Sequence, residues 1–583
     1  MRFRLFPHPT LLAVVALGAA LEVEAASRLP IRVETGVRVR MRDGVSLVAD
    51  VYRPDAEGRF PTLLQRTPYD RKGDTAQAVD LAASGYVVVL QDTRGRYESE
   101  GEFYPFRNEA ADGSDSVEWA AAQPWSDGRV GMFGGSYVGA TQLLAATAKP
   151  PHLVAIFPYV TAAEYYEGWT YQGGALMDWF TSSWSSGLAV DTLRRKAAPG
   201  AHPLEWVKEG ALRDYRLLEP PAARELAPYF RDWVTHETDD DYWKAVRVKD
   251  HYGEMTVKAL HGAGWHDIFL EGSIGNYLGL RAHAATPEAR EGQRLLVGPW
   301  AHAATSPEGK VGDVVFGREA VLDMTATIRD WFDYALKGAS NRFAEKRVRL
   351  FVMGDNAWRD EDEFPLARAK ETRYFLGAGD SRSSGVLLER APRKSPPSEY
   401  AYDPADPVPT LGGRLCCGTA LAPGPADQRP NESRRDVLVF STPPFARDLE
   451  VTGFVALELY AASSATDTDF TALLADVAPD GYARFLTDGI VRARYRKSTA
   501  GPAVPLVPGQ VEKYRIDLWA TSNVFKAGHR LRLYVSSSNF PRFDRNRNTG
   551  GPILDATGGV TARQTVYHDA ARPSVLVLPV VPR

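Results

Sequence analysis

The chain has 583 residues, of which 44% are hydrophobic and 11% aromatic, and its formal net charge is −4. This length exceeds what a single hydrophobic core supports, so two or three domains are expected. The basic residues are scattered and the net charge is slightly negative, which excludes the basic footprint of a nucleic-acid-binding protein and favours small molecules as partners.

The N-terminus resembles an export signal. Arg2 and Arg4 precede an apolar run from Leu11 to Leu21, and Val23-Glu24-Ala25 offers small residues for cleavage. The apolar run is too short to cross a bilayer as a helix. Residues 1–25 are therefore predicted to be a signal peptide that is removed on export to the periplasm or medium, with no stable membrane insertion afterwards. An uncleaved membrane anchor is the alternative.

The first part of the mature chain predicts a mainly parallel sheet. Ile31 to Pro54 contains two alternating runs separated by Asp43-Gly44, which indicates an antiparallel hairpin. Short apolar runs then alternate with helical spacing, as in sheets covered by helices on both faces. The predicted strands are 60–64, 86–90, 130–133 and 153–160, and the predicted helices are 75–83, 112–122 and 140–148.

Residues 161–250 have a different character. Strand patterns disappear, and six of the thirteen tryptophans lie here. The segment is predicted to be a helical cap over an active site, inserted after a strand of the α/β domain. Trp169 and Trp179 from this cap are candidate walls of a substrate pocket, together with Trp265 and Phe269. Aromatic side chains that only pack are the alternative for each of them.

The sheet pattern resumes at 257–261 and 294–297, helices fit 272–282 and 319–336, and Lys337–Asn341 has the composition of a linker. Beyond the linker the period is two, beginning with Val348–Val352. Residues 26–340 are thus predicted to form an α/β domain, and residues 345–583 an antiparallel β-sandwich of jelly-roll type. Cys416 and Cys417 either form a local disulfide clamp or remain buried thiols.

The segment Arg129–Thr141 predicts a nucleophile. It places an apolar strand, two glycines, Ser136 and a helix in succession, the order in which a serine hydroxyl is presented at a sharp turn. The match to G-x-S-x-G is imperfect, because Val138 stands two positions after the serine and Gly139 three.

A serine nucleophile needs a base, and the base needs an acid that orients it. His302 follows a late strand after a Gly-Pro break, and Asp267 follows the strand before it. Ser136, Asp267 and His302 thus occur in the Ser…Asp…His order of α/β-hydrolases. His266 is a rival base but is poorly placed beside Asp267. A zinc site at His261, His266 and Asp267 lacks a convincing fourth ligand, so no metal or other cofactor is predicted.

An oxyanion intermediate requires hydrogen-bond donors. The amide N–H of Tyr137 directly follows the nucleophile. The loop after an earlier strand, Arg66-Thr-Pro-Tyr69, has no glycine run, and Pro68 has no N–H. The Tyr69 hydroxyl is therefore predicted to be the second donor.

Several motifs together resemble the CocE/NonD hydrolases, a family that includes cocaine esterase and α-amino-acid ester hydrolases and is related to Xaa-Pro dipeptidyl-peptidases. The motifs are Arg66-Thr-Pro-Tyr69, Asp92-Thr-Arg-Gly-Arg96, Gly134-Gly-Ser-Tyr-Val-Gly139, Gly264-Trp-His-Asp267, Gly298-Pro-Trp-Ala-His302 and Val348-Arg-Leu-Phe-Val-Met-Gly354. The resemblance implies an α/β-hydrolase domain with a helical cap, then a C-terminal domain similar to that of Xaa-Pro dipeptidyl-peptidases. It also implies the roles assigned above to the triad and to both tyrosines, and a glycine three positions after the serine.

The departures from that family concern the substrate. The α-amino-acid ester hydrolases carry extra acidic residues just after the catalytic aspartate, whereas Ile268-Phe-Leu270 and then Glu271 follow Asp267. Asp239–Asp241 is either a hook for a substrate amine or a solvated charged turn. The sequence therefore predicts an exported serine hydrolase that cleaves a small-molecule ester, amide or peptide through an acyl-enzyme. The alternatives are an Xaa-Pro dipeptidyl-peptidase and a non-catalytic carbohydrate binder on a retired hydrolase scaffold.

Overall fold

The computed structural model describes residues 28–196, 226–302, 306–380, 384–554 and 558–583. The predicted signal peptide, residues 1–25, lies outside the described residues, and so does part of the predicted cap, residues 197–225. Among the helices that are described, none combines the length and the apolar character needed to cross a membrane.

A ten-stranded sheet forms the centre of the first domain, in the order β1-β2-β4-β3-β5-β6-β9-β10-β13-β14. Its strands are β1 (Ile31–Arg40), β2 (Ser46–Pro54), β3 (Phe60–Thr67), β4 (Val87–Asp92), β5 (Ser126–Gly135), β6 (Leu153–Tyr159), β9 (Lys258–His266), β10 (Gln293–Ala301), β13 (Val348–Val352) and β14 (Ala357–Glu361). The seven strands from β4 to β13 in that order run parallel, and β1, β2 and β14 are antiparallel at the edges. The predicted α/β class is confirmed.

Helices cover both faces of this sheet. They are α1 (Thr75–Ala83), α2 (Glu109–Ala121), α3 (Tyr137–Thr147), α7 (Leu270–His283), α8 (Pro287–Glu291), α9 (Met324–Lys337) and α10 (Arg342–Glu345). On one face α9 buries Ile328, Trp331 and Phe332 in an apolar cluster with residues of β3, β4 and β6. The opposite face is covered by α2 and α3, with Leu143 and Leu144 in a second cluster. The parallel strands are therefore buried on both sides, as their continuous apolar runs predict.

The cap is helical but contains one small sheet that the sequence does not predict. Its helices are α4 (Asp178–Lys196), α5 (Pro228–Thr235) and α6 (Asp241–Lys244), and its two-residue strands are β7 (Tyr171–Gln172) and β8 (Ala175–Leu176). Two residues are too few to show an alternating pattern, so this hairpin has no periodic signal in the sequence.

The C-terminal domain is a β-sandwich whose eleven strands are hydrogen-bonded in one set. They are β15 (Lys370–Ala378), β16 (Ser384–Leu388), β17 (Ser398–Tyr402), β18 (Leu438–Ser441), β19 (Leu449–Ser463), β20 (Asp469–Val477), β21 (Ala483–Arg492), β22 (Glu512–Phe525), β23 (Arg530–Ser536), β24 (Ala562–Tyr567) and β25 (Val575–Val581). The short helix α11 (Arg429–Glu432) also belongs to this domain, whereas the separate hairpin β11 (Lys310–Val311) and β12 (Val314–Val315) precedes α9.

One strand belongs to a different domain from the one predicted. Val348–Val352 was expected to begin the β-sandwich, but it pairs in parallel with β10, and β14 pairs with it in turn. The first strand of the sandwich is β15, which begins at Lys370. Period-two alternation identifies a strand but carries no information about which sheet the strand joins.

The sandwich contacts the cap directly. The Leu176 N–H donates to the Asp544 carboxylate at 2.8 Å, and the Arg492 N–H donates to the Gly173 carbonyl at 2.9 Å. The Arg492 guanidinium is buried between Asp469 and Asp544, at 2.9 and 2.8 Å. Since a buried charge requires such partners, these ion pairs fix Arg492 within the sandwich, and the two hydrogen bonds attach the cap to it.

Candidate active site

Ser136 stands at the apex of the turn between β5 and α3 with φ 60° and ψ −128°. The turn requires glycine at two positions close to the serine, Gly134 and Gly139. Gly134 has φ 135°, and a Cβ there would lie 2.2 Å from the Val138 side chain. A Cβ at Gly139 would lie 2.8 Å from Thr161. Packing therefore requires Gly139, three positions after the serine. Val138 fits two positions after the serine because Gly134 leaves space for its side chain.

The three predicted triad side chains lie together. His302 Nε2 is 3.0 Å from Ser136 Oγ, and His302 Nδ1 is 2.6 Å from Asp267 Oδ2. Asp267 is fully buried, and its other oxygen accepts the Phe269 N–H at 2.7 Å. The aspartate therefore caps the following turn and also orients the imidazole. The arrangement allows the serine proton to pass to His302 as Oγ attacks a carbonyl carbon.

The rival histidines face other partners. His266 is fully buried, neither ring nitrogen has a hydrogen-bond partner among the described residues, and burial lowers its pKa well below the usual value. His261 is also buried, with its Nε2 2.9 Å from the Gln293 side-chain oxygen. Burial lowers the pKa of His261 to about 4, so both imidazoles are neutral.

The Tyr69 hydroxyl lies beside the serine. Trp184 Nε1 donates to the Tyr69 hydroxyl oxygen at 2.8 Å, and the Ser136 side chain lies close enough to lower the pKa of that hydroxyl. Although Tyr69 is 40% exposed as a residue, burial of the hydroxyl itself raises its pKa to about 12, so the phenol stays protonated. Because an indole can only donate, the Tyr69 proton remains available for an acceptor near Ser136.

A buried polar network connects the Tyr69 loop to the helix that carries the Tyr137 amide. Arg66 pairs with Glu109 at 2.7 Å, and the Tyr137 hydroxyl donates to the same carboxylate at 2.9 Å. Arg96 donates to the Pro68 carbonyl at 2.8 Å. The Tyr137 N–H is the first of its helix, where no intrahelical acceptor exists. The Asp92–Arg96 motif thus acts in part by holding the loop of Tyr69.

The four aromatic residues predicted as pocket walls are buried. Trp169 stacks on Phe269 with ring centroids 4.4 Å apart, and Phe269 meets the His302 ring edge to face at 5.1 Å. Trp265 donates to the Phe351 carbonyl at 2.7 Å, and Trp179 is 5% exposed. None of the four is among the residues lining the cavity at Ser136. Substrate contact by these residues stays a prediction.

The cavity that contains Ser136 and His302 has a volume of about 620 Å³. Its described lining residues come from the ends of β6, β9 and β10, from the loop after β3 and from the segment leading into α9. Sequence reasoning missed three residues near Tyr69, of which Asp70 and Asp74 line the cavity and Trp184 does not. Trp184 lies 115 positions from Tyr69, without a motif of its own. Asp70 and Asp74 line the cavity, and their closeness to Tyr69 in the chain is the sequence feature that could have indicated this.

Two alternatives left open by the sequence are resolved by contacts. Asp239 pairs with Arg247, Asp240 accepts the Tyr242 N–H at 3.0 Å, and Asp241 pairs with Lys244 at 2.7 Å. The acidic turn is therefore internally paired and is not a free hook for an amine. The two adjacent cysteines, 416 and 417, are joined by a disulfide.

Comparison with known proteins places this fold and site in a family. The X-Pro dipeptidyl-peptidase (S15 family) matches residues 43–304, and the X-Pro dipeptidyl-peptidase C-terminal non-catalytic domain matches residues 341–577. The cocaine esterase of Rhodococcus sp. (strain MB1 Bresler) is 40% identical over 94% of this chain and 99% of its own length.

Two solved structures are similar over almost the whole chain. An aminopeptidase from a marine sediment Thaumarchaeota archaeon has a TM-score of 0.80 and 26% identity, covering 100% of this chain and 99% of its own. An α-amino acid ester hydrolase has a TM-score of 0.79 and 26% identity, covering 95% of this chain and 97% of its own.

The chain belongs to the CocE/NonD family of hydrolases, which shares the S15 fold. It is a serine hydrolase of the ester- and amide-cleaving class, acting on small molecules. These relationships support the enzyme and not the alternative of a carbohydrate binder on a retired scaffold.

Proposed function

We propose that this protein is an exported esterase that works through a Ser136–His302–Asp267 triad and an acyl-enzyme. The observation that carries the proposal is the pair of hydrogen bonds, 3.0 Å from Ser136 Oγ to His302 Nε2 and 2.6 Å from His302 Nδ1 to Asp267. A hydroxyl bonded to an oriented imidazole is the arrangement that activates a serine at neutral pH.

In the first half-reaction Ser136 Oγ attacks the substrate carbonyl carbon while its proton moves to His302 Nε2. The carbonyl oxygen becomes an oxyanion that accepts hydrogen bonds from the Tyr69 hydroxyl and the Tyr137 N–H. Preorganised donors of this kind supply a large share of the stabilisation of such transition states. Collapse of the tetrahedral intermediate breaks the bond to the leaving group, which takes the proton from His302.

In the second half-reaction a water molecule gives a proton to His302 and attacks the acyl-enzyme carbonyl. The same two donors hold the second oxyanion, and the acid product leaves as Ser136 recovers its proton. Asp267 accepts the hydrogen bond from His302 Nδ1 and stabilises the imidazolium that forms.

Fluorophosphonate labelling combined with hydrolysis of p-nitrophenyl acetate tests this proposal. The wild-type protein is expected to be labelled on Ser136 and to release nitrophenol, and a folded Ser136→Ala protein is expected to do neither. Labelling of another serine at the wild-type rate, with activity retained by Ser136→Ala, would contradict the assignment.

A dipeptidyl-peptidase activity is the second candidate, favoured by the S15 match and by the similarity to an aminopeptidase. It would use the same triad but would require recognition of a free N-terminal amine. Comparing glycyl-prolyl-p-nitroanilide with its N-acetylated form separates the two functions. An esterase is expected to hydrolyse neither anilide well, whereas a dipeptidyl-peptidase would cleave only the free-amine form.

Export follows from the signal-like N-terminus, Arg2 to Ala25. The mature protein is expected to begin near Ala26. N-terminal sequencing of protein recovered from a bacterial host checks this, and an intact Met1 on the folded enzyme would rule out cleavage.

A further inference from the structure

The disulfide lies in a loop that is closed at its base. The Gly413 N–H donates to the Gly424 carbonyl at 2.6 Å, and the Gly424 N–H donates to the Gly413 carbonyl at 2.8 Å. Between these two glycines, Cys416 and Cys417 are joined. A bridge between neighbouring residues encloses almost no chain, so it restricts the unfolded state very little. Its effect on the folded protein must therefore come from the local shape of the loop.

The residues before the disulfide are anchored in the β-sandwich. Arg414 is fully buried, and its guanidinium donates to Thr487 Oγ1 at 2.5 Å and pairs with Asp488 at 3.3 Å. The guanidinium also lies 4.8 Å from the ring centroid of Trp519. These contacts attach this end of the loop to strands β21 and β22.

The residue after the disulfide contacts the cap. A Cβ at Gly418 would lie 2.1 Å from the Trp179 indole, so the loop backbone packs directly against that ring. Trp179 is in the first turn of α4. Cys416 is 5% exposed and belongs to the same apolar cluster as Trp184 and Leu188 of that helix. The disulfide thus lies between an anchored sandwich residue and the helix of the cap.

Helix α4 also carries the side chain that holds the Tyr69 hydroxyl. Trp184 Nε1 donates to that hydroxyl at 2.8 Å. A helix moves as a stiff unit, so a shift of its first turn at Trp179 is passed on to Trp184. The contacts therefore run without a gap from the disulfide loop to the proposed oxyanion donor.

The two cysteines differ in backbone conformation and in exposure. Cys417 has φ 71°, a value that residues other than glycine seldom adopt. Cys417 is exposed, whereas Cys416 is buried. Opening the ring removes the covalent restraint on this conformation, and a return of Cys417 to negative φ redirects the chain at Gly418 against Trp179.

We propose that the Cys416–Cys417 disulfide is a redox-sensitive positioning element for catalysis. When closed, it holds the loop against α4 and so keeps Trp184 bonded to Tyr69. When a dithiol reductant opens it, α4 loses this support and turnover falls. The inference rests on the proposed esterase function and adds a means of regulating the same site.

The redox step is an ordinary thiol–disulfide exchange. One thiolate of the reductant attacks Cys417 Sγ and breaks the S–S bond, and Cys416 Sγ leaves as a thiolate that takes up a proton. The second thiolate of the reductant attacks the reductant's own sulfur in the mixed disulfide, which releases Cys417 to be protonated. Two electrons and two protons pass to the cysteine pair, and the reductant becomes a disulfide.

Reduction of the folded wild-type protein with dithiothreitol tests the proposal. The reductant is removed by desalting under inert gas, because small thiols also cleave p-nitrophenyl acetate, and Ser136→Ala serves as the blank. Two thiols per chain should be titrated. We expect kcat to fall by about three- to tenfold while KM changes less than about twofold, since orientation is lost and binding is not. Reoxidation should restore kcat.

Tyr69→Phe separates positioning from a general loss of structure. In this variant the hydroxyl that Trp184 holds is absent, so the oxidised and reduced forms should have kcat values within about twofold of each other. The same fall as in the wild type would show that reduction acts elsewhere, and would overturn the proposal.

Cysteine variants give the same comparison without a reductant. Cys416→Ala/Cys417→Ala should have the kcat of the reduced wild type and should not respond to dithiothreitol. Thr419→Ala changes an exposed position of the same loop and keeps the disulfide, so it should retain the wild-type kcat and response. If the double variant does not fold, the reduced wild type, with its fold checked by circular dichroism, decides the question.

Three results would overturn the inference while leaving the esterase in place. They are an unchanged kcat on reduction, a double cysteine variant with the kcat of the oxidised protein, and a failure of dithiothreitol to release thiols from the folded chain. If Ser136→Ala hydrolyses p-nitrophenyl acetate at the wild-type rate, the proposed function fails as well.

Discussion

The two sides of Ser136 are built in opposite ways. On the cap side, Trp169, Phe269 and Trp184 form a closed aromatic block in which Phe269 also contacts the His302 ring. On the other side, an open cavity meets Ser136 and His302 at an acidic rim. The comparison teaches that precise placement of reacting groups requires dense packing, whereas a ligand requires space and unsatisfied polar groups. Tyr69 joins the two sides, because Trp184 from the block holds a hydroxyl that lines the cavity.

Removing the proposed nucleophile should have the largest effect and should leave the packing on both sides of Ser136 intact. Ser136→Ala is expected to lower kcat by about 10⁶-fold, because the attacking oxygen is lost. Single-turnover and steady-state hydrolysis of p-nitrophenyl acetate measure this loss, and an unchanged circular dichroism spectrum and thermal midpoint serve as controls. Residual activity within tenfold of wild type would show that another group attacks.

Altering the acid tests whether the packed side sets the imidazole orientation. Asp267→Asn is expected to lower kcat about 10⁴-fold, since an amide at this position favours the wrong imidazole tautomer. Asp362→Asn, a change in an exposed carboxylate paired with Lys346, is the matched control and should be close to wild type. Near-normal kcat in Asp267→Asn would mean that the aromatic block alone orients His302.

Tyr69→Phe examines the residue shared by both sides. It should lower kcat by about 10²–10³, because one oxyanion donor is removed, while KM changes only a few-fold since the ring remains. A change confined to KM would instead make Tyr69 a wall of the cavity.

Trp184→Phe sharpens that result by keeping an aromatic ring in the block and removing its N–H. The Tyr69 hydroxyl then loses the donor that fixes its direction. We expect a loss in kcat of about tenfold, smaller than that of Tyr69→Phe because the oxyanion donor remains. An effect as large as that of Tyr69→Phe would contradict this order.

The smallest expected effect concerns the stability of the cap. Burial raises the pKa of Asp178 to about 8, so the folded protein holds this proton where the unfolded chain has released it. The contribution of Asp178 to the free energy of unfolding is therefore greatest at low pH, and it is lost as the pH rises from about 4 to about 8. In Asp178→Asn this decline should be absent, with a thermal midpoint a few degrees above wild type near pH 8.

Thermal midpoints of both proteins between about pH 5 and pH 8 check this prediction. Ser182 donates to the Asp178 carboxylate at 2.9 Å, and an asparagine oxygen can accept the same bond. The variant is thus a fair isostere. A pH dependence identical to that of the wild type would mean that Asp178 is ionised in the fold.

Much of the site could be predicted because its signals are local. The strand, glycines, serine and helix around Ser136 follow one another in the chain, and the loops of Asp267 and His302 each directly follow a strand. Parallel strands bring their carboxyl ends to one edge of a sheet, so residues in these loops meet there. Pro68 likewise removes a backbone donor in a way that is visible in the sequence.

Other features depend on contacts between distant segments. The Trp184 indole bonds to Tyr69, which lies 115 positions away in the chain, and no pattern in either segment predicts this contact. Val348–Val352 alternates like the strands of the sandwich, yet its partner is β10. The Gln65 side-chain oxygen has no hydrogen-bond partner among the described residues, and this depends on the segments that pack around it and not on any local sequence pattern.

The sequence by itself determined the α/β class with a C-terminal β-sandwich, the turn that presents Ser136, and the chain order of the proposed triad, because periodicity and turn chemistry are encoded within a few residues. Only the tertiary structure decided which aromatic rings fill the cap side, which sheet each strand joins, and where the cavity lined by Asp70 and Asp74 lies. These depend on packing among segments far apart in the chain, where shape and the satisfaction of polar groups select one arrangement from many with the same local pattern.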